Sequence, residues 1–419
     1  MDEARSMGRA ARIEASGEPE SAYAWTRLVV TLLLSTLGGI GMWSTVVALP
    51  AVQADFGVAR ADASLPYTLT MLGFGFGGIA LGRLSDRHGI LVPVVIGSMA
   101  LGGGYVAQSF AHSIWQYAAA QAVIGVGSSA TFGPLLAHTS LWFTRRRGIA
   151  VAIFASGNYL AGTLWPPIVA HFIASSGWRT TSLGIGVFCA LAMLPLATSL
   201  RRPAPLTSVD ALPFTVARNV APHALGLSPR ALQVLLVIAG FSCCVAMSMP
   251  QVHLVAYCAD LGYGPARGAQ MLSVMLGFGI VSRLTFGFIC DRIGGLRTLL
   301  LGSTLQGVAL LLFLPFDGLV SLYVVSALFG LFQGGIVPSY AIIVREYFSA
   351  KEAGARVGTV ITATLFGMAV GGWMSGAVFD LTGSYKAAFV NGLAWNLLNV
   401  SIALFLLRRD TIEPRLQPR

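Results

Sequence analysis

The sequence predicts an all-α membrane protein of twelve transmembrane helices in two pseudo-symmetric six-helix bundles, and three observations support this fold class. The first is composition, because 55% of the 419 residues are hydrophobic and only 11% are charged, with a mean hydropathy of +0.73. Soluble domains carry roughly 25% charged residues, so this chain is expected to cross a membrane many times. The second observation is a set of twelve apolar runs, and the third is an internal repeat.

Each of the twelve apolar runs approaches the ~20 residues that cross about 30 Å of hydrocarbon as a helix. Their predicted limits are 25–50, 63–83, 90–111, 114–141, 148–174, 179–200, 231–258, 268–289, 297–315, 319–344, 356–379 and 385–407. The expected regions are an N-terminal tail at 1–24, a six-helix bundle at 25–200, a Pro-rich polar linker at 201–230, a second bundle at 231–408 and a C-terminal tail at 409–419. The first tail contains no apolar signal-peptide core, so we expect it in the cytoplasm.

A repeat relates the two predicted bundles. GRLSDRHG at 82–89 and GFICDRIG at 287–294 share Gly, Asp, Arg and Gly at the same spacings, 205 residues apart. The same offset relates DFG at 55–57 to DLG at 260–262. One offset at separate places indicates a duplicated half, and parallel halves related by an axis along the membrane normal are a transporter architecture.

The basic residues predict the orientation of the chain. With both termini in the cytoplasm, the cytoplasmic segments hold clusters such as Arg145–Arg147, whereas the outer loops hold Arg60, Arg179, Arg267 and Lys386. This distribution satisfies the positive-inside rule. The net charge of +10 is therefore a topology signal for a chain in a lipid bilayer, which argues against nucleic-acid binding. Small loops and short tails favour a bacterial inner membrane, and one chain is expected to work as a monomer.

Arg283 is the one basic residue deep inside a predicted span, and the acidic residues all fall in tails or loops. It precedes Asp291 by eight residues, which is roughly 12 Å along a helix. An isolated charge at this depth usually marks a substrate or ion path. A guanidinium holds a carboxylate through two hydrogen bonds, which favours a small organic anion. The alternative is an arginine that snorkels to the surface or caps backbone carbonyls.

Five further polar or aromatic residues at membrane depth are candidates for a substrate cavity, namely Trp43, Gln121, Asn158, His253 and Tyr340. Helix packing or interhelical hydrogen bonding is the alternative role for each. His253 lies seven residues before Asp260 in the chain, and three roles are open for it: an outer gate, a proton carrier or a buried structural histidine. The sequence contains no Walker loop, HExxH or Ser/His/Asp order, so we expect no enzyme, no catalytic residue, no metal and no cofactor.

The two Gly–Asp–Arg–Gly stretches resemble the loop between the second and third helices of the major facilitator superfamily. The resemblance covers nearly the whole chain and implies that fold, with alternating access between two bundles. The residues it marks for gating are Gly82, Asp86, Arg87, Gly89, Gly287, Asp291, Arg292 and Gly294, with the basic run Arg145, Arg146 and Arg147 beside them. The glycines are expected to permit tight turns and close helix approach, and the aspartates to cap helix ends or pair with arginines.

A narrower resemblance appears at WFTRRRGIA (142–150), followed by ASG (155–157), and at SRLTFG (282–287). These stretches look like the monocarboxylate transporters and the related oxalate/formate antiporters. In that group an arginine on the eighth helix is the carboxylate ligand, and Arg283 occupies the matching place. His253 also resembles bacterial members of this group.

Two departures from these families shape the expected substrate. Animal monocarboxylate transporters pair the arginine with an Asp one turn earlier, where this chain has Gly279. Oxalate carriers add a second cation on the eleventh helix, but 357–379 contains no Lys or Arg. One buried positive charge matches one carboxylate better than two, although Arg356 lies at the end of that helix.

Together these features predict a secondary active transporter that moves a monocarboxylate by alternating access, with proton symport as the coupling implied by resemblance. A proton would then travel on His253 or on the substrate. The alternatives are an organic anion exchanger, a drug or sugar facilitator of the same fold, and a nutrient sensor with a transporter fold.

Overall fold

The computed structural model describes residues 20–143, 145–202 and 224–412. In this part of the chain every regular element is a helix. The predicted tails and linker fall largely on residues 1–19, 203–223 and 413–419, which lie outside the described residues, as does the side chain of Arg147. The limits of those regions therefore stay predictions.

The first half of the described chain, residues 20–202, contains six helices that we label α1 to α6. The bounds are Ala22–Gly38 with Ile40–Phe56 (α1), Arg60–His88 (α2), Leu91–Ser109 (α3), Ile114–Ala130 with Gly133–Ser140 (α4), and Arg147–Ala155 with Gly157–Thr198, which supplies the rest of α5 and all of α6. Gly177, with φ 77° and ψ 161°, is non-helical and separates α5 from α6.

The second half, residues 224–412, contains α7 to α12. The bounds are Pro229–Asp260 (α7), Pro265–Ile293 (α8), Gly295–Leu312 (α9), Leu319–Gln333 with Ile336–Tyr347 (α10), Ala350–Thr382 (α11) and Tyr385–Ile412 (α12). Short 3₁₀ turns at Ser199–Arg201 and Ala224–Gly226 flank the residues that are not described.

Eleven stretches of the described chain are long and apolar enough to cross a membrane. One of them, Gly148–Arg201, has 54 residues and would be about 80 Å long if straight, more than twice the thickness of the hydrocarbon. Because it turns at Gly177, it supplies two crossings. The chain is therefore an all-helical, multi-pass membrane protein, as the composition and apolar runs predicted.

The repeat extends to whole helices. Both α2 and α8 have 29 residues, and their first and last residues are related by the offset of 205. Each helix ends at a glycine with positive φ, Gly89 at 77° and Gly294 at 81°, a conformation that side chains disfavour. Asp86 and Asp291 lie inside the last turns of these helices, and not in a loop as expected. The basic residues that follow them stabilise a helix C-terminus, so the helix continues beyond the hydrocarbon.

Helices within each half pack at very close range through glycines. A Cβ atom added at Gly73 of α2 would lie 2.2 Å from the carbonyl oxygen of Ala122 in α4. One added at Gly330 of α10 would lie 1.8 Å from the carbonyl oxygen of Met275 in α8. Membrane helices associate largely through such small-residue contacts, because lipid gives no hydrophobic force between them.

The two halves meet along α1, α2 and α5 on one side and α7, α8 and α11 on the other. Buried residues of both halves form a continuous apolar cluster, with Trp43, Tyr67 and Met71 from the first half and Val252 and Leu276 from the second. We call the end of the molecule where α2 begins the Arg60 end, and the opposite end, where α2 and α8 finish, the hairpin end.

We expect Gly73→Ala to destabilise the protein, because the added methyl group meets backbone of α4 and the two helices have to separate. Overpacking of this kind costs about 1–3 kcal/mol. The measurement is the midpoint of thermal unfolding in detergent. Gly78→Ala on the same helix is the matched control, because its Cβ would meet only Ser129 at 3.9 Å. Equal midpoints for the two variants would contradict the close packing.

Candidate functional site

Arg283 lies in the interior part of α8, where the two halves face each other. It is half-buried, eighteen residues from the first residue of α8 and ten from the last, or about 27 Å and 15 Å along the helix. Within the described chain no carboxylate lies within ion-pair distance of its guanidinium, since the four ion pairs there involve other arginines and Lys386. The charge is therefore compensated by groups other than an acid.

Two groups from α5 of the opposite half contact the guanidinium. Its Nη1 donates a hydrogen bond to the carbonyl oxygen of Ala155 at 3.1 Å. Its Cζ lies 4.9 Å from the ring centroid of Tyr159, one turn further along α5. A carbonyl dipole and an aromatic face both stabilise a cation. Groups of α5 therefore stabilise the charge of Arg283 across the interface of the halves.

One edge of the guanidinium remains free. Its Nε is buried and has no hydrogen-bond partner, and in the described chain Nη2 makes no hydrogen bond either. These two donors form the edge that binds a carboxylate through two parallel hydrogen bonds. Chemically, the site is a half-buried cation with an unused bidentate donor pair.

Trp43 and Asn158 lie close to this site. The indole of Trp43 is almost fully buried and donates to the backbone carbonyl of Asn158 at 3.3 Å. A Cβ at Gly162 would be 3.0 Å from the indole and 2.3 Å from a methyl group of Leu276. The structure thus brings α1, α5 and α8 together at Trp43, Gly162 and Leu276, which lies two turns before Arg283 on α8.

Gln121 and Tyr340 are each fully buried, and their hydrogen bonds stay inside their own halves. Gln121 accepts from Thr70 at 2.9 Å and donates to Gln108 at 2.7 Å. Tyr340 donates to Asn399 at 2.8 Å. In this conformation both belong to interhelical hydrogen-bond networks, the usual way in which membrane bundles satisfy polar side chains at depth.

His253 is also fully buried, but it lies toward the Arg60 end. Its Nε2 is 2.7 Å from the carbonyl oxygen of Gly372, which can only accept, so Nε2 carries a proton and donates. Its Nδ1 is 3.2 Å from the hydroxyl of Tyr385 and, in the neutral ring, accepts from it. His253 therefore joins α7, α11 and α12.

A polar network centred on Arg60 joins the two halves at this end. Arg60 is 8% exposed, and its Nη1 donates to the Tyr385 hydroxyl at 2.5 Å while Nη2 pairs with Asp260 at 3.2 Å. The two carboxylate oxygens of Asp380 accept from the backbone N–H groups of Arg60 and Ala61 at 2.9 and 2.7 Å. A carboxylate from the second half thus caps the positive end of α2.

Among the residues that the structure describes, the hairpin end has no such connection. Asp86, Arg87, Asp291 and Arg292 are exposed, and no hydrogen bond or ion pair between two described residues joins the halves there. A Cβ at Gly82 or at Gly287 would meet no atom within 4 Å, so the close helix approach expected at these two glycines is not made in this conformation. In the basic run, Arg145 and Arg146 are exposed, and the backbone N–H of Arg146 donates to Glu20 at 2.6 Å.

A separate groove of about 530 Å³ lies between α5 and α6, and Arg283 is not part of it. Its walls are mainly apolar and include Phe172 and Phe188, which are 52% and 48% exposed. Such side chains on the outside of a membrane bundle face lipid, so this groove is not the polar site.

Sequence reasoning missed Tyr159 and the Arg60 network. Tyr159 stands next to Asn158, which the sequence did indicate, but the composition of α5 does not reveal which of the two neighbours faces α8. Arg60 looked like an ordinary loop cation. The available signal was its position at the first residue of α2, where a buried arginine needs acceptors from another element.

Comparison with known proteins gives a consistent result. The model of the family described as the Major Facilitator Superfamily matches residues 31–319 and 271–419. The rat protein named monocarboxylate transporter 13 is 28% identical over 337 residues, which covers 79% of this chain and 76% of the rat chain. The agnestins efflux protein AgnL12 of Paecilomyces divaricatus is 25% identical over 339 residues, with 79% and 74% covered.

Among solved structures, a bacterial homologue of the human lysosomal transporter Spinster superposes with a TM-score of 0.68. The superposition covers 94% of this chain and 96% of that one at 14% sequence identity, so it establishes the fold alone.

We expect Arg60→Ala to shift the protein toward a state that is open at the Arg60 end. Each hydrogen bond to a charged group contributes about 1.5–3 kcal/mol, so losing two should change the population ratio at least tenfold. The measurement is the distance between spin labels at Trp115→Cys and Leu381→Cys, which are exposed at this end on opposite halves. All five native cysteines are buried, which keeps background labelling low.

The matched control is Lys386→Ala, because Lys386 forms a half-exposed ion pair with Asp317 inside the second half. Its distance distribution should equal that of the parent protein. An unchanged distribution in the Arg60 variant would show that the network does not hold this end closed.

Proposed function

This chain belongs to the Major Facilitator Superfamily and is a multi-pass membrane transporter, not an enzyme, and we propose that its substrate is a small monocarboxylate. The observation that carries the proposal is the free Nε–Nη2 edge of Arg283 at the interface of the halves. A carboxylate that binds there neutralises the one cation at this depth and satisfies the Nε donor, which is otherwise buried without a partner. The similarity to proteins named monocarboxylate transporters supports this substrate class.

Charge balance favours one carboxylate over two. The nearest alternative cation on α11 is Arg356, and its guanidinium is already paired with Glu352 at 2.7 Å, one turn away on the same helix. A dicarboxylate at Arg283 would leave its second negative charge without a cation in the described part of α11. Burying an uncompensated charge is costly, so the site selects a monoanion.

The path follows from the asymmetry of the two ends. By the distribution of basic residues, the Arg60 end faces outward and the hairpin end faces the cytoplasm. Among the described residues, hydrogen bonds between the halves run from the Arg60 network through Thr68 and Ala369 to Arg283, and none lies beyond it toward the hairpin end. We therefore assign this conformation as inward-facing, with Arg60, Asp260, Asp380 and Tyr385 as the outer gate.

The hairpins at the cytoplasmic end take the complementary role. In this conformation Asp86 and Asp291 are exposed and form no ion pair with a described residue. Their carboxylates are free to pair with arginines, including those of the run Arg145–Arg147, when the cytoplasmic ends of the bundles approach. They would then stabilise the outward-open state.

Coupling to protons would involve His253 or the substrate itself. The two ring nitrogens of His253 are hydrogen-bonded to Gly372 and Tyr385, and Tyr385 is a residue of the proposed outer gate. Protonation of His253 would act on the outer gate. It would bring a second positive charge to the Tyr385 hydroxyl, which already accepts a hydrogen bond from the Arg60 guanidinium. This arrangement supports gradient-stimulated uptake.

Exchange of two organic anions is the second candidate, and one observation favours it. Among the described residues, no acidic group neutralises Arg283 when the site is empty. If the transporter returned with a second anion bound to Arg283, it would not have to change between its two states with an uncompensated charge on that residue. A drug or sugar carrier, the class suggested by relatives with efflux in their names, has no need of this lone cation.

We expect Arg283→Gln to abolish saturable carboxylate uptake, because the amide removes the charge and the bidentate edge. The loss should be at least tenfold, the effect of losing about 1.5–3 kcal/mol of charged hydrogen bonding. The measurement is uptake of a panel of radiolabelled mono- and dicarboxylates into proteoliposomes, with and without an inward proton gradient. Arg267→Gln, an exposed position near the outer end of the same helix, is the matched control.

The conditions of this uptake assay distinguish the candidate functions. Uptake that responds to the gradient supports symport, and uptake that requires an internal anion supports exchange. Full carboxylate uptake by Arg283→Gln would remove the anion-ligand role and leave a facilitator of neutral substrates as the better interpretation.

A further inference from the structure

The ring of Tyr159 is held between two parts of α8. On one side it faces the guanidinium of Arg283, with 4.9 Å between Cζ and the ring centroid. On the other side it rests against the backbone at Gly279, one turn earlier on α8. A Cβ added at Gly279 would lie 2.5 Å from Cε1 and 2.7 Å from Cδ1 of the ring. The ring therefore occupies the space that any side chain at residue 279 would need.

This contact decides how the guanidinium is oriented. Ala155 and Tyr159 are one turn apart on α5, and they hold the guanidinium at two points, at the Nη1 donor and at the Cζ atom that lies over the ring. These two contacts leave Nε and Nη2 without a hydrogen bond in the described chain. Arginine side chains have high conformational entropy, so prior orientation of the donor pair reduces the cost of binding.

We propose that Tyr159 is the positioning residue of the substrate site, with Gly279 as the position that admits its ring. The inference rests on the proposed function, because it concerns the same arginine and the same carboxylate. Tyr159 acts through Arg283: its ring lies against the guanidinium and restrains it, so the Nε and Nη2 donors stay positioned for a carboxylate. The ring carries this role, and the hydroxyl does not, because the contact with the cation is made by the aromatic face.

The first test compares three side chains at residue 159 by their transport kinetics in proteoliposomes. Tyr159→Phe keeps the aromatic face and should retain the KM of the parent protein for the best carboxylate of the panel. Tyr159→Ala removes the face and should raise KM about tenfold, within the range for loss of a desolvated cation–π contact, with a smaller change in kcat.

The second test uses the contact with Gly279. Gly279→Ala forces the ring off its position and should raise KM by a similar factor. In a Tyr159→Ala background the same change has no ring to displace, so its further effect on KM should vanish. Gly277→Ala is the matched control on the same helix, because its Cβ would be 3.6 Å from Thr163, an ordinary contact distance.

The outcomes are distinguishable from those of the substrate proposal. If the parent protein transports no carboxylate, both proposals are wrong. If the parent does, Arg283→Gln does not, and Tyr159→Ala keeps the parent KM, only the positioning role is wrong. Additive effects of Tyr159→Ala and Gly279→Ala, or a loss in Tyr159→Phe equal to that in Tyr159→Ala, would also overturn it.

Discussion

The cost of keeping a guanidinium charged at membrane depth is the constraint on which the rest of this structure depends. Arg283 has no acidic partner in the described chain, and its neighbours meet the charge with a carbonyl oxygen and an aromatic face. Both of these groups come from the other half of the molecule. The charge is therefore compensated only while the two halves are in contact around it, and the proposed binding site lies in the interface of the halves.

Two neighbouring regions of the interface between the halves are held by different interactions. At the Arg60 end, a buried arginine, two carboxylates and a capped helix N-terminus form a network of directional bonds. Between this network and Arg283 the contact is mostly apolar, with Trp43, Tyr67 and Leu276 in one cluster. Apolar contacts exclude water from the interface but are not directional. The hydrogen bonds of the polar network, by contrast, form in only one arrangement of the two halves. This combination gives a closed end that is tight and still able to separate.

Much of the fold was predictable from the sequence, because it depends on local properties. Apolar length determines the spans, and the offset of 205 residues predicted the duplication that α2 and α8 display in full. The site was predictable only in part. The depth of Arg283 follows from its position in an apolar run, but the depths of Gln121 and Tyr340 do not reveal whether they face a cavity or a neighbouring helix. Packing between segments that are distant in the sequence decides which face of a helix meets a cavity and which meets a neighbouring helix. The contact of Tyr159 with Gly279 is an example of such packing.

The equal lengths of α2 and α8 have a consequence for how such a chain diverges after duplication. In one copy the first residue is Arg60, which bonds to Asp260 and Tyr385 of the other half, and in the other copy the same position is Pro265. The position of Arg283 in the second copy corresponds to Gly78 in the first. In the proposed mechanism the two copies of one helix have therefore specialised, α2 in closing the outer end and α8 in binding the substrate. Substitutions in α8 would then change the preferred substrate while α2 and its contacts stay the same.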